Sequence, residues 1–312
     1  MSKMLNPDQR IRGARMRQSF INTLIQLAET DKDLYLLTAD MGFGLVEQFA
    51  TRFPEQYINV GVAEQNMIGV ATGLALEGKK VFCYSIGNFP AMRCLEQIQN
   101  DVCYHNLPVC IVSGGAGLWY GALGMTHHAV EDIAVMRCLP NMTVACPYDA
   151  DEMVRTVKVF YKDSEPCYVR VCRTSNKALN TERTYKDHMV TILATGGKMV
   201  EMAADASREL SKSGIPVGVI AVSRIKPLAR MALRQESWNT DLIITIEEHS
   251  KIGGLGSAVA EVLAGVKHHP PLVRMGTRDE YPDIAMSYDE LLKYHHLDMD
   301  SIVKNVMGAL DA

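Results

Sequence analysis

The chain has 312 residues, enough for two domains of ordinary size. Its 47% hydrophobic and 22% charged residues suit a globular protein with real cores, and a net charge of −4 offers no basic footprint for nucleic acid or an anionic membrane surface. No uninterrupted apolar run approaches the roughly 18 residues of a membrane-spanning helix, and residues 1–10 lack the apolar core of a secretory signal.

Short, continuous apolar runs alternate with helical segments through the first half. Leu34–Ala39 ends at Asp40, and Val81–Tyr84 at Ser85; Val109–Val112 ends at Ser113, and Met142–Cys146 at Pro147. Tyr168–Cys172 follows a helix-like segment that begins near Asp151. Runs of this kind predict strands buried on both faces, as in parallel sheets, whose carboxyl ends are where ligands bind. Between the first two runs lies Val60-Gly61-Val62-Ala63-Glu64-Gln65-Asn66-Met67-Ile68-Gly69. Glu64 opens a segment of small residues (Gly69, Ala71, Thr72, Gly73, Ala75) that reads as a tightly packed helix. The helix dipole favours a carboxylate there, but burial is costly, so Glu64 needs a fixed partner in protein or ligand.

The polar stretch Thr174–His188 reads as a linker, and a second α/β pattern follows it: Val190–Ala194, Val217–Val222, Leu242–Ile246 and Leu272–Met275. Helical segments lie between, including Met199–Leu210 and the stretch after Gly256. The expected architecture is α/β with two domains, 1–178 and 189–312, divided near residue 180. The eight cysteines form no Cys-x-x-Cys pair and mostly sit in apolar runs such as Val81-Phe82-Cys83 and Val109-Cys110-Ile111. They read as buried free thiols of a cytosolic enzyme rather than a zinc site.

Several elements, taken in order, resemble the transketolase family and specifically its two C-terminal domains. They are Gly61-Val62-Ala63-Glu64-Gln65-Asn66-Met67, Glu96-Gln97-Ile98, Thr126-His127 and Glu131-Asp132-Ile133, then Ile246-Glu247-Glu248-His249-Ser250 and Gly253-Gly254-Leu255-Gly256-Ser257-Ala258. The resemblance implies a pyrimidine-binding domain of a thiamine-diphosphate enzyme followed by a transketolase C-terminal domain. It gives Glu64 a chemical role, a hydrogen bond to the pyrimidine ring nitrogen that favours the imino tautomer, whose exocyclic nitrogen takes the proton from the reactive thiazolium carbon. Phe89 falls on the aromatic that packs against the aminopyrimidine, Ile86 where many members carry a second aromatic, and Asp40 on an acid near the thiazolium. His127 matches a histidine that contacts substrate oxygens, with His128 in place of the usual Gln after it. Arg17 and Arg173 fall where transketolases hold the sugar phosphate.

The departures lie on the substrate side. The family pattern Gly-Glu-Asp-Gly-x-Thr-His becomes Gly121-Ala122-Leu123-Gly124-Met125-Thr126-His127, so Leu123 replaces an Asp that reaches a substrate hydroxyl. Gly115 stands in place of another family histidine. The Gly-Asp-Gly motif that holds Mg²⁺ and diphosphate in such enzymes is missing from these residues. The resemblance therefore implies the C-terminal subunit of a split transketolase. A separate N-terminal subunit would carry the diphosphate and Mg²⁺ ligands, in a heterotetramer that moves a two-carbon ketol unit from a ketose to an aldose. The beta subunit of a 2-oxo-acid dehydrogenase decarboxylase shares both domains, but the Glu-Glu-His-Ser and Gly-Met-Thr-His stretches look more transketolase-like. Deoxyxylulose-5-phosphate synthase resembles the same domains in one long chain. A non-catalytic partner subunit is disfavoured by Glu64 beside Phe89.

Overall fold

The computed structural model describes residues 14–174, 188–230, 233 and 240–311. The apolar runs form strands because both faces of the sheet are covered, and every residue of β4 and β6 below is buried. In chain order the first-domain strands are β1 (Leu34–Thr38), β2 (Tyr57–Asn59), β3 (Lys80–Ile86), β4 (Val109–Gly114), β5 (Thr143–Ala145) and β6 (Cys167–Val171). Side chains alternate between two cores. Leu37, Val81, Cys83, Val109 and Ile111 pack against helices Glu64–Leu76 and Asp132–Cys138 and the irregular helical run 89–103. Leu36, Phe82, Tyr84, Cys110 and Val112 face helices Ala14–Ala28, Glu47–Arg52 and Ala150–Asp163.

The second half adds β7 (His188–Thr195), β8 (Val217–Ala221), β9 (Arg224–Lys226), β10 (Thr240–Ser250) and β11 (Leu272–Thr277). Four of these make a parallel sheet of order β11-β10-β7-β8. Helices Gly197–Lys212, Tyr288–Tyr294 and Met299–Leu310 cover one face and Leu255–Leu263 the other. The fifth strand, β9, leaves its own half and pairs antiparallel with β5, completing a seven-stranded sheet of order β2-β1-β3-β4-β6-β5-β9. Lys226 fastens it there, its Nζ donating to the Arg137 carbonyl at 2.9 Å and to the Leu139 carbonyl. Most of the polar stretch read as a linker, with the division near 180, lies outside the described residues.

A buried cation joins the two halves. Arg170 is 1% exposed; its Nε donates to Asp132 Oδ2 at 2.8 Å, and its Nη2 donates to the Glu248 carbonyl at 2.8 Å and to the Ala129 carbonyl. The Tyr168 hydroxyl also donates to Asp132 Oδ2, at 2.6 Å. Hydrogen bonds beyond the pair help to offset the cost of burying it, and here carbonyls from both halves take the Nη2 donor, while Asp132 Oδ1 is left without a partner.

One expectation about packing is corrected. In the helix Glu64–Leu76, Ala71 and Ala75 are buried, but Gly69 and Gly73 face outward, and a Cβ on either would meet nothing within 4 Å. Leu76, on the same outward side, is 62% exposed.

Candidate active site

The carboxyl ends of β1, β3 and β4 position the first group of residues. The chain leaves β2 through Gly61, whose φ of +76° only glycine adopts without strain, and enters the helix at Glu64. The Glu64 side chain is 2% exposed, and its Oε2 accepts a 2.7 Å charge-assisted bond from Arg93 Nη1. Arg93 ends a wide helical turn, Phe89–Arg93, with i→i+5 hydrogen bonding, a form that recurs at functional sites. Its guanidinium carbon lies 4.6 Å from the centroid of the half-buried Phe89 ring. The His127 ring meets Phe89 edge-on, with centroids 5.3 Å apart. The structure thus brings Glu64, Phe89 and His127 together, with Arg93 as a fourth member. Nothing in the sequence pattern pointed to Arg93, whose position is set by the wide turn.

His127 sits on the loop after β4, held by backbone contacts. Gly87, at φ +50°, donates its N–H to the Gly114 carbonyl at 2.7 Å, and a Cβ there would lie 2.9 Å from the His127 carbonyl oxygen. Close approach of the two backbones therefore requires glycine after Ile86. The His127 Nδ1 pairs with the Thr126 hydroxyl at 3.0 Å. His128, expected to reach substrate, is buried. Burial lowers its pKa and keeps the ring neutral, so its Nε2–H donates to the Gly121 carbonyl at 2.9 Å and braces the loop. Leu123 and Met125 project outward, 55% and 45% exposed.

The replacement of a histidine by Gly115 has a steric cause. Gly115 has φ +87°, and a Cβ would sit 2.4 Å from the Tyr120 ring. Tyr120 fills that volume, donates its hydroxyl to the Gly114 carbonyl at 3.1 Å, and lies 6.0 Å from His127 ring to ring.

Asp40 is exposed at the end of β1, in a left-handed conformation at φ +52°. Asn59 pins it, accepting the Asp40 N–H at 2.9 Å and donating to its carboxylate at 3.3 Å. Ile86 ends β3 half-buried. The two arginines converge on one aromatic. Arg17 lies 5.6 Å and Arg173 5.9 Å from the Trp119 ring, and Arg173 is also 4.1 Å from the Tyr288 ring. The Nε of each arginine is buried without a hydrogen-bond partner, which suits a site that takes an anion. Glu248 organises this corner from the second half. It accepts the Leu118 N–H at 3.1 Å and the Tyr288 hydroxyl, and burial raises its pKa. Gly117 passes so close that a Cβ would touch Glu248 at 2.5 Å.

The neighbouring motif residues are structural. Glu247 accepts the N–H groups of Leu255 and Gly256 at 2.6 and 2.8 Å, capping the helix Leu255–Leu263, and burial raises its pKa to about 7. His249 is fully buried, and desolvation lowers its pKa to about 4. It receives the Ala134 N–H on Nε2 at 3.2 Å and donates from Nδ1 to the Ser250 carbonyl at 2.8 Å.

Residues 12–177 match the family described as transketolase, pyrimidine binding domain, and residues 180–302 match transketolase, C-terminal domain. The chain belongs to the transketolase family. It is 36% identical over 302 residues to one subunit of the apulose-4-phosphate transketolase of Phocaeicola vulgatus, spanning 93% of this chain and 96% of that one. It is 35% identical over 283 residues, 87% of each chain, to a 6-deoxy-6-sulfo-D-fructose transketolase subunit of a Clostridium species. Among solved structures it is similar to a split gene transketolase described as an inactive beta4 tetramer. That similarity has a TM-score of 0.84 and 35% identity, and covers 95% of this chain and 98% of that one.

Transketolase membership brings thiamine diphosphate into consideration, and the residues fit its pyrimidine half. A buried carboxylate beside a half-buried aromatic face suits a flat heterocycle with a hydrogen-bonding edge. Among the described residues no group of three or more His, Cys, Asp or Glu could hold a metal ion. No helix among them is long and apolar enough to cross a membrane.

Proposed function

We propose that this chain is the C-terminal subunit of a two-subunit, thiamine-diphosphate-dependent transketolase that moves a two-carbon ketol unit from a ketose to an aldose. The observation that carries the reading is the buried Glu64 carboxylate beside the Phe89 ring, in a chain with both transketolase domains. When bound, the cofactor supplies the nucleophilic carbon and the electron sink for breaking the bond between ketose carbons 2 and 3. Glu64 holds the pyrimidine edge and shares its proton, while Phe89 and Ile86 flank the ring and Asp40 faces the cationic side. His127, ordered by Thr126, meets substrate oxygens, and Arg17 and Arg173 take an anionic far end. A separate N-terminal subunit supplies the ligands for Mg²⁺ and diphosphate, in a heterotetramer. The domains divide at 1–178 and 189–312, and the eight free thiols, seven of them buried, suit the cytoplasm.

Calorimetry on the purified chain, with and without the partner, tests the division of labour. The chain alone should bind thiamine diphosphate and Mg²⁺ weakly or not at all, and the pair should bind tightly. Tight stoichiometric binding by this chain alone would refute the split site.

A further inference from the structure

Resting on that reading, we propose that Arg93 guards the pyrimidine subsite: its guanidinium holds the place between Glu64 and Phe89 that the cofactor's ring needs, and must swing out to admit it. Two contacts define the place. Arg93 Nη1 donates to Glu64 Oε2 at 2.7 Å, and the guanidinium carbon lies 4.6 Å from the Phe89 centroid. A guanidinium and an aminopyrimidine share the features that matter here. Each is flat, and each offers a nitrogen to the carboxylate while lying over an aromatic ring. Two such groups cannot both occupy one face of Phe89 and one oxygen of Glu64, since stacked atoms need about 3.5 Å of separation.

The arrangement serves the chain before the cofactor arrives. Glu64 is 2% exposed, and a carboxylate buried to that degree without a donor is strongly disfavoured. Arg93 supplies the donor from a side chain that is itself 47% exposed, so it can rotate into solvent without breaking the core. Among the described residues, Glu64 is the one carboxylate within 4.0 Å of Arg93, so no second ion pair restrains it. The two contacts also use Glu64 differently. The ion pair uses it as a carboxylate, whereas sharing a proton with a ring nitrogen uses it as an acid, so cofactor entry and Arg93 departure together convert the residue to its working role.

The experiment compares wild type, Arg93→Ala, Glu64→Gln and the double variant, each reconstituted with the subunit that supplies the diphosphate ligands. The readout is thiamine diphosphate affinity by calorimetry. Releasing a charge-assisted contact of ordinary strength should tighten binding by Arg93→Ala about tenfold. In the Glu64→Gln background the same substitution should change affinity by less than about twofold, because the charge pairing is already gone and only a neutral amide acceptor remains. A wild-type complex that binds the cofactor while Arg93→Ala binds equally or more weakly would overturn the guard and leave the functional reading intact. A complex in which no variant binds would overturn the reading itself. Thermal unfolding of the full chain alone checks the pair independently. Arg93→Ala should lower Tm by a few degrees, and adding Glu64→Gln should restore most of it. An unchanged Tm on Arg93→Ala would show that the pair is not formed and would overturn the proposal.

Discussion

Leu123→Asp should return to this chain the substrate hydrogen bond that its own loop lacks. Leu123 closes a short 3₁₀ turn, Gly121–Leu123, and its side chain is 55% exposed. A carboxylate there enters without burial, so the substitution should change folding stability by no more than about 0.5 kcal/mol. On the substrate the effect is larger. With Leu123 in place, a donor hydroxyl forgoes the bond to a charged acceptor that the family's Asp would make, worth about 1.5–3 kcal/mol. At about 1.4 kcal/mol per tenfold, this is roughly a tenfold to hundredfold difference in specificity constant. The reconstituted wild type should therefore turn over xylulose 5-phosphate and fructose 6-phosphate poorly, relative to a ketose with an altered far end. Leu123→Asp should raise kcat/KM for the two ordinary donors by that factor. Measuring kcat/KM for both proteins on all three donors decides the matter. Efficient turnover of the ordinary donors by wild type, or no gain on Leu123→Asp, would refute the reasoning.

Gly115→Ala should destabilise the chain by about 2–4 kcal/mol, since it combines a left-handed backbone with a 2.4 Å approach to Tyr120, and Tyr120→Ala should recover only the packing part; urea unfolding of the single and double variants measures both. His249 should make the fold acid-sensitive. Its folded pKa of about 4 lies below its unfolded value near 6.5, so the unfolded chain binds the extra proton between these values. The contribution of this residue should fall as pH drops through that window, by about 3 kcal/mol, and level off below it. Glu247, whose folded pKa of about 7 lies above its unfolded value, contributes in the opposite sense between about 4.5 and 7. Urea titrations from pH 7 to 4 should show wild type losing about 3 kcal/mol more stability on acidification than His249→Asn.

Much of the fold was legible because parallel strands buried on both faces leave continuous apolar runs, as in Val109–Val112 and Tyr168–Cys172. β2 and β9 were not, because three residues cannot show a period, and β9 gains its stability from pairing with a strand about 80 positions earlier. Gly69 and Gly73 read as interior by composition, yet a glycine-rich helix face looks the same in sequence whether it packs inward or outward. At the site, Glu64, Phe89 and His127 were found through motif residues. Arg93 was missed because its contact depends on a wide helical turn, and Tyr120 because it fills space beside a glycine that sequence shows only as a missing histidine. Tyr288 of the second half meets Arg173 of the first, beside Trp119, a proximity no local spacing encodes.

The central claim is that Glu64 activates a cofactor held against Phe89, and hydrogen–deuterium exchange at the reactive carbon of thiamine diphosphate tests it most directly. The measurement uses the complex reconstituted with its partner subunit, wild type against Glu64→Gln, under conditions where both are saturated with cofactor. The substitution keeps the side chain's volume and removes the proton-sharing carboxyl, along with its charge pairing to Arg93. Exchange should slow by roughly two to four orders of magnitude, the range expected for lost acid–base assistance. Exchange at the wild-type rate in the cofactor-saturated variant would contradict the account and leave Glu64 as a buried partner for Arg93 alone.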